Sequence, residues 1–201
     1  MSDGLQWVAE RGAFEMGYWI VFARGLSAEE LVSRLEGDFA AMTLMSWSDA
    51  VELEMEAEDE DEQVVRVGSC QGWAFAVAEY GPLGERTDEL VQAASAGTEA
   101  VSVSRTVNAD TWFLHAKDGE TLCEFEPGLE HERTGVSSND LVEALKQVGL
   151  LLPDGTSPRE HGSDVDDSER RVLQMAEQAF GVGLPRDQVE HGQLLGARLS
   201  G

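Results

Sequence analysis

The sequence predicts an α+β fold: an antiparallel sheet of about six strands, helices packed on one of its faces, and a C-terminal helical appendage. Three observations lead there. Strand-like runs follow one another in hairpin succession from residue 64 to residue 125, without the regular strand–helix alternation of a doubly wound parallel sheet. Capped or amphipathic helical stretches precede and follow that region. The 201 residues are 42% hydrophobic and include five Trp and seven Phe, which only a real core can bury.

The elements follow in chain order. Residues 5–11 read as a short amphipathic helix carrying Leu5, Trp7 and Val8. The β-branched and aromatic run Tyr18-Trp19-Ile20-Val21-Phe22-Ala23, closed by Arg24-Gly25, has the composition of a buried strand. Ser27 opens S-A-E-E-L, a capping box with Glu30 as its reciprocal partner. Leu31, Val32 and Leu35 form that helix's apolar stripe, and Gly37 stops it. From Val51 to Glu62 the chain reads V-E-L-E-M-E-A-E-D-E-D-E, with Val51, Leu53, Met55 and Ala57 alternating with acids. A period of two predicts a strand whose apolar side chains face a core and whose glutamates face solvent.

Val64–Val67 and Trp73–Ala78 read as two strands joined through Gly68-Ser69-Cys70-Gln71-Gly72, a hairpin. Thr87 caps a short helix reaching Ala94, and Ser95-Ala96-Gly97-Thr98 turns the chain into the strand Ala100–Ser104. Thr111–Ala116 and Thr121–Phe125 flank Asp118-Gly119, a strong hairpin signal. Ser137 to Val148 reads as a helix with Leu141, Val142, Leu145 and Val148 on one face and Gly149 as its stop. Residues 153–168, rich in Pro, Gly, Asp and Ser, read as a linker. A last helix runs from Glu169 to Phe180, and residues 182–201 read as loosely ordered, with a short helical turn after Pro185. The expected organisation is a core domain over 1–152, a linker over 153–168, and a helix and tail over 169–201 packing on the core. No internal repeat is visible.

The formal net charge is −25 and the sequence pI is near 4.2. Phosphate-directed nucleic-acid binding needs a basic surface and is excluded by this balance. Anionic membranes are disfavoured for the same reason. Basic proteins and divalent cations are the partners such a field attracts. No signal-like segment and no apolar run of about 20 residues is present, so a cytoplasmic protein is expected. Cys70 and Cys123 form neither a C-x-x-C pair nor part of a zinc-spaced cluster; free thiols are expected, with a bridge between the two left open.

Candidate chemistry is sparse. Gly68-Ser69-Cys70-Gln71-Gly72 spells a cysteine version of the nucleophile elbow, but that device needs a helix after the turn, and a strand-like run follows. His115, His131, His161 and His191 show no i, i+4 pairing; His115 in its strand reads as structural, with a Cys–His dyad unsupported by spacing. No phosphate-binding glycine loop and no EF-hand pattern occurs, so neither a cofactor nor a specific metal site is expected. The acids Glu52, Glu54, Glu56, Glu58, Asp59, Glu60, Asp61 and Glu62 are the candidate protein-binding residues. The same residues would also protect a sheet edge from strand addition.

Four ordered stretches, R-G-L-S-A-E-E-L (24–31), R-V-G-S-C-Q-G-W-A-F-A-V-A-E (66–79), S-A-G-T-E-A-V-S-V-S-R (95–105) and H-A-K-D-G-E-T-L-C-E-F-E-P (115–127), precede G-L (149–150) and L-x-M-A-E-Q-A-F-G-V (173–182). Together they resemble the actinobacterial, Streptomyces-type family called domain of unknown function 6461. The resemblance implies no activity and no catalytic residues. The functional expectation is therefore a non-enzymatic intracellular module that binds a basic protein through its acidic face, an immunity protein against a basic toxin being one form. The alternative is a sensor or enzyme with a pocket between sheet and helices, drawing on Trp19, Trp73, Trp112 and Phe113.

Overall fold

The computed structural model describes residues 3–10, 12, 14–56, 62–80, 86–158 and 167–199. These form one open, fully antiparallel sheet of eight strands. In chain order the strands are β1 (Tyr18–Arg24), β2 (Thr43–Met45), β3 (Gln63–Cys70), β4 (Trp73–Ala78), β5 (Glu99–Arg105), β6 (Thr111–Lys117), β7 (Glu120–Phe125) and β8 (Leu194–Leu199). Their order across the sheet is β2-β8-β3-β4-β1-β5-β6-β7. The helices are α1 (Ala28–Arg34), α2 (Trp47–Met55), α3 (Arg86–Ala94), α4 (Val142–Gln147), α5 (Ser168–Phe180) and α6 (Arg186–Glu190). Gln6–Ala9 is a 3-10 turn where the sequence predicts a short helix.

The α+β class holds, but helices cover both faces of the sheet rather than one. On the first face Tyr18, Ile20, Phe22, Phe75, Val77, Val101, Val103 and Phe113 meet the 3-10 turn, α4 and α5. On the second, Trp19, Val21, Ala74, Ala76, Ala78, Ala100 and Ala116 meet α1 and α3. A strand buried on both faces loses its apolar–polar alternation, which is why β1 reads as one continuous greasy run. The faces differ in bulk. Alanines dominate the second, so α1 and α3 sit close to the backbone; aromatics dominate the first and hold the larger core.

Local chemistry accounts for the turns and caps. Ser27 accepts a hydrogen bond from the Glu30 amide at 3.2 Å while Glu30 accepts from the Ser27 amide at 2.9 Å, closing the expected capping box. Gln71 and Gly72 take φ of 54° and 83°, and Asp118 and Gly119 take 52° and 85°, so both hairpins turn through two left-handed residues. The spelling around Cys70 is therefore hairpin chemistry: strand, turn, strand, with no helix for a nucleophile elbow.

The strand count exceeds the expectation because β2 and β8 carry weak sequence signals. β8 lies in the stretch expected to be loosely ordered, yet it is an interior strand, pairing Val65 with Ala197 on one side and Leu44 with Leu195 on the other. Gly196 leaves room there for Met45: a Cβ at that position would stand 2.1 Å from the Met45 sulfur, so the methionine side chain would have to move. The chain reaches β8 through α5, whose Val172, Leu173, Met175 and Ala176 are buried, and a left-handed Gly181 at φ 69°. Helix α4 is shorter than predicted, starting at Val142 rather than Ser137. The outer edge of β7 is not bare: Glu124 and Thr134 exchange amide–carbonyl hydrogen bonds at 3.0 Å, and the Ser137 amide donates to the Leu122 carbonyl at 2.9 Å.

Candidate functional site

The first part of the acidic segment singled out in the sequence, Val51–Met55, lies in helix α2 and not in a strand. Ser46 caps it: its hydroxyl accepts from the Asp49 amide at 3.3 Å, and the Asp49 carboxylate accepts from the Ser46 amide at 2.8 Å. In a helix, alternate residues fall on opposite sides, so the expected apolar row is split. Leu53 packs on Met45, Ala50 and Val64, whereas Met55 is 76% exposed. The acids are split likewise. Glu52 and Glu56, one turn apart, are exposed. Glu54 turns inward and accepts the Val64 amide proton at 2.5 Å. Glu62 pairs with Arg198 at 2.7 Å. Glu58, Asp59, Glu60 and Asp61 lie outside the described residues.

Glu54 sits in an unusual field. Burial pushes its carboxyl up to about 7, with the charges of Glu79 and Glu62 adding and the Val64 amide and Arg198 opposing. Beneath α2, Arg66 and Glu79 form a fully buried ion pair. The Arg66 Nε and Nη2 donate to Glu79 Oε1 at 2.7 and 2.5 Å, and Nη1 donates to the Val189 carbonyl at 2.9 Å. The guanidinium also lies 5.3 Å over the Trp47 ring. Burial raises the Glu79 carboxyl to about 7 against the pull of Arg66. This network fastens α2, β3, β4 and α6 to one another.

The thiols and imidazoles do not assemble a nucleophile. Cys70 and Cys123 are both free. Cys123 faces His115 across the β6–β7 register, a place where a Cys–His dyad would form. Burial pushes that thiol up to about 11, and its Sγ contacts the Ser138 carbonyl at 3.7 Å. Burial also lowers the His115 pKa, partly offset by Glu99 at 3.0 Å. A protonated thiol beside a neutral imidazole is unreactive. Glu99 is held in turn by Arg24 at 2.9 Å, which stacks 4.5 Å over Trp73. His131 lies beside Glu132 at 3.5 Å and His191 ends α6; His161 lies outside the described residues. Among the described residues no three His, Cys, Asp or Glu side chains are grouped to hold a metal ion. None of the described helices is long and apolar enough to cross a membrane.

Trp19 and Trp73, expected around a pocket, are instead core residues, and Phe113 is buried in the core while also lining the cleft described next. Trp112 is the exception. It is 42% exposed and forms part of a cleft of about 350 Å³. The floor is β6 and β7: Trp112 and Leu114 project beside Glu124, which is Leu114's register partner, and Glu126 follows. The first turn of α3 brings Asp88 to one wall; Leu129, Glu132 and Thr134 make the other. The Thr134 hydroxyl donates to Glu124 Oε1 at 2.5 Å and fixes that carboxylate. Asp88 is exposed at its tip, yet partial burial and then the charge of Glu124 raise its pKa. Among the described residues no basic side chain lines this cleft. The nearby Arg133 is turned away, donating to the carbonyls of Ser138 and Glu130 and to Asn139.

Other hollows differ in character. One of about 440 Å³ is lined by Glu10, Glu15 and Glu169 together with Arg105, which faces Glu169 at 3.4 Å. Another of about 490 Å³ between α1 and β8 has Glu29 as the single charged lining residue among the described residues. Sequence spacing gives no hint of the acidic cleft, because its carboxylates come from α3, β7 and the following loop. The signal present in the sequence is Trp112, an aromatic near the start of β6.

No curated protein and no solved structure matches the chain. The model of the family of unknown function DUF6461 matches residues 2–196, almost the whole length, and the chain belongs to that family.

Proposed function

We propose that this domain is a non-enzymatic binding module that docks a basic protein through its acidic surface. The observation that carries the reading is how its cations are spent. Arg66, Arg186 and Arg198 are committed to Glu79, Glu10 with Glu190, and Glu62. Arg34, Arg133 and Arg171 are committed to backbone carbonyls. The acids of the cleft and the exposed Glu52 and Glu56 of α2 are left with no arginine or lysine partner among the described residues. Unpaired carboxylates on a chain of net charge −25 steer a basic protein toward them and raise the association rate. Neutralisation of a basic toxin is one form this binding takes under the proposal. Two free cysteines suit a reducing, intracellular setting.

The test is affinity capture with the purified chain from lysate of its native host, at low and at higher salt, beside a variant with Glu52, Glu56, Glu126 and Glu132 changed to Gln. A basic protein retained at low salt, released as screening rises, and lost with the variant is the expected result. Retention that ignores both salt and the four substitutions contradicts the reading.

A further inference from the structure

We infer that the β6–β7 cleft is a receptor for a single arginine side chain presented by the basic partner. The inference rests on the docking reading above and names the chemistry of its central contact.

The argument starts from Trp112. Large aromatics are ordinarily buried, and the other four tryptophans are buried or half-buried. Trp112 instead keeps 42% of its surface open, in a hollow rather than on a convex face. The volume of about 350 Å³ falls at the small end of the roughly 300–1,000 Å³ of ligand pockets, which suits one side chain. Its lining matches a side chain with an apolar stem and a cationic head. Leu114 and Leu129 suit the methylenes, and Asp88, Glu124 and Glu126 suit the head. Arginine fits better than lysine. Its planar guanidinium stacks on an indole face and at the same time donates in a fork to a carboxylate. Glu124 is already immobilised by Thr134, so the acceptor is fixed before the ligand arrives. The charge of the site is unbalanced in the free protein: Asp88 and Glu124 repel each other, and Arg133, the nearby cation described above, is engaged elsewhere. A guanidinium inserted between them relieves that repulsion.

The experiment titrates the full chain with an oligoarginine peptide and with an oligolysine peptide of equal length, reading tryptophan emission and affinity. Trp112→Ala and Trp112→Phe are compared with the parent, circular dichroism checking that each is folded. The expected result is tighter binding of oligoarginine than oligolysine, with a change of emission missing from both variants. Trp112→Ala is expected to weaken oligoarginine roughly fivefold to thirtyfold, the range of a partly desolvated cation–π contact, and Trp112→Phe to weaken it less. If both peptides bind the parent in a salt-sensitive way but equally well, or if Trp112→Ala binds oligoarginine as the parent does, the arginine receptor is wrong and the docking module stands. If neither peptide binds the parent, both fall.

Discussion

Replacing Arg66 by Met leaves the buried Glu79 carboxyl without its cation, and the cost should depend on pH. The side chains of Arg66 and Glu79 are 0% and 3% exposed. Methionine keeps most of the stem's volume but removes the two hydrogen bonds to Glu79, the one to the Val189 carbonyl and the contact with Trp47. Breaking a buried pair by deleting one partner costs about 3–5 kcal/mol, against a total stability of roughly 5–15 kcal/mol for a domain. Glu79 has an escape, since protonation removes the stranded charge. With Arg66 present, burial already holds its pKa at about 7. Without Arg66 the pKa rises further. Below pH 7 the carboxyl is mostly neutral in both proteins, so the substitution costs only the lost hydrogen bonds and packing, about 1–3 kcal/mol. Above pH 7 the parent ionises and keeps its ion pair, whereas the variant must hold a proton. The gap then widens by about 1.4 kcal/mol per pH unit up to the variant's own pKa. Urea unfolding followed by tryptophan emission at pH 6 and pH 8 measures both costs. A penalty equal at the two pH values, or below about 1 kcal/mol at pH 8, would refute the reasoning.

Two further outcomes follow from the same electrostatics. The Glu54 carboxyl is raised from 4.5 to about 7 in the folded chain. Its stabilising contribution is therefore full below pH 4.5 and is lost as pH rises through 7. Because Glu54 is only half-buried, the swing should be about 1–2 kcal/mol rather than the full linkage value; Glu54→Gln should flatten the fall in urea midpoint between pH 5 and pH 8, and an unchanged slope would count against the assignment. Among the thiols, Cys70 should react with iodoacetamide in the native protein at pH 8, while Cys123, buried and raised to about 11, should react only on unfolding. Peptide mass mapping distinguishes the two, and early labelling of Cys123 would show the β7 core to be open.

What the sequence revealed depended on whether a signal was local. The capping box at Ser27, the turn at Asp118-Gly119 and the helix ending at Phe180 are each specified within a few residues, and each is present as read, whereas the first hairpin turns more tightly than read, at Gln71-Gly72, because β3 continues to Cys70. The segment Val51–Glu56 misleads for a physical reason. Its alternation of apolar and acidic residues mimics a strand, but Glu, Leu and Met are all strong helix formers, and Ser46 with Asp49 sets a capping box just upstream. The cap and the propensity outweigh the period. β8 is hidden for the opposite reason. Its six residues include Gly196, and what makes them a strand is pairing with Gln63–Val67, more than a hundred residues away. The second helical layer was concealed by alanines, which reveal no face on their own. The carboxylates of the cleft converge only after β6, β7 and α3 are assembled, so no spacing could have announced them.

The docking account is tested most directly by nuclear magnetic resonance of the labelled chain during titration with a basic peptide. The account predicts that the Trp112 indole N–H and the amides of Asp88, Glu124, Glu126 and Thr134 shift together, with larger displacement than those of α1 or α4. Shifts spread evenly over the acidic surface, or confined to residues distant from Trp112, would contradict it.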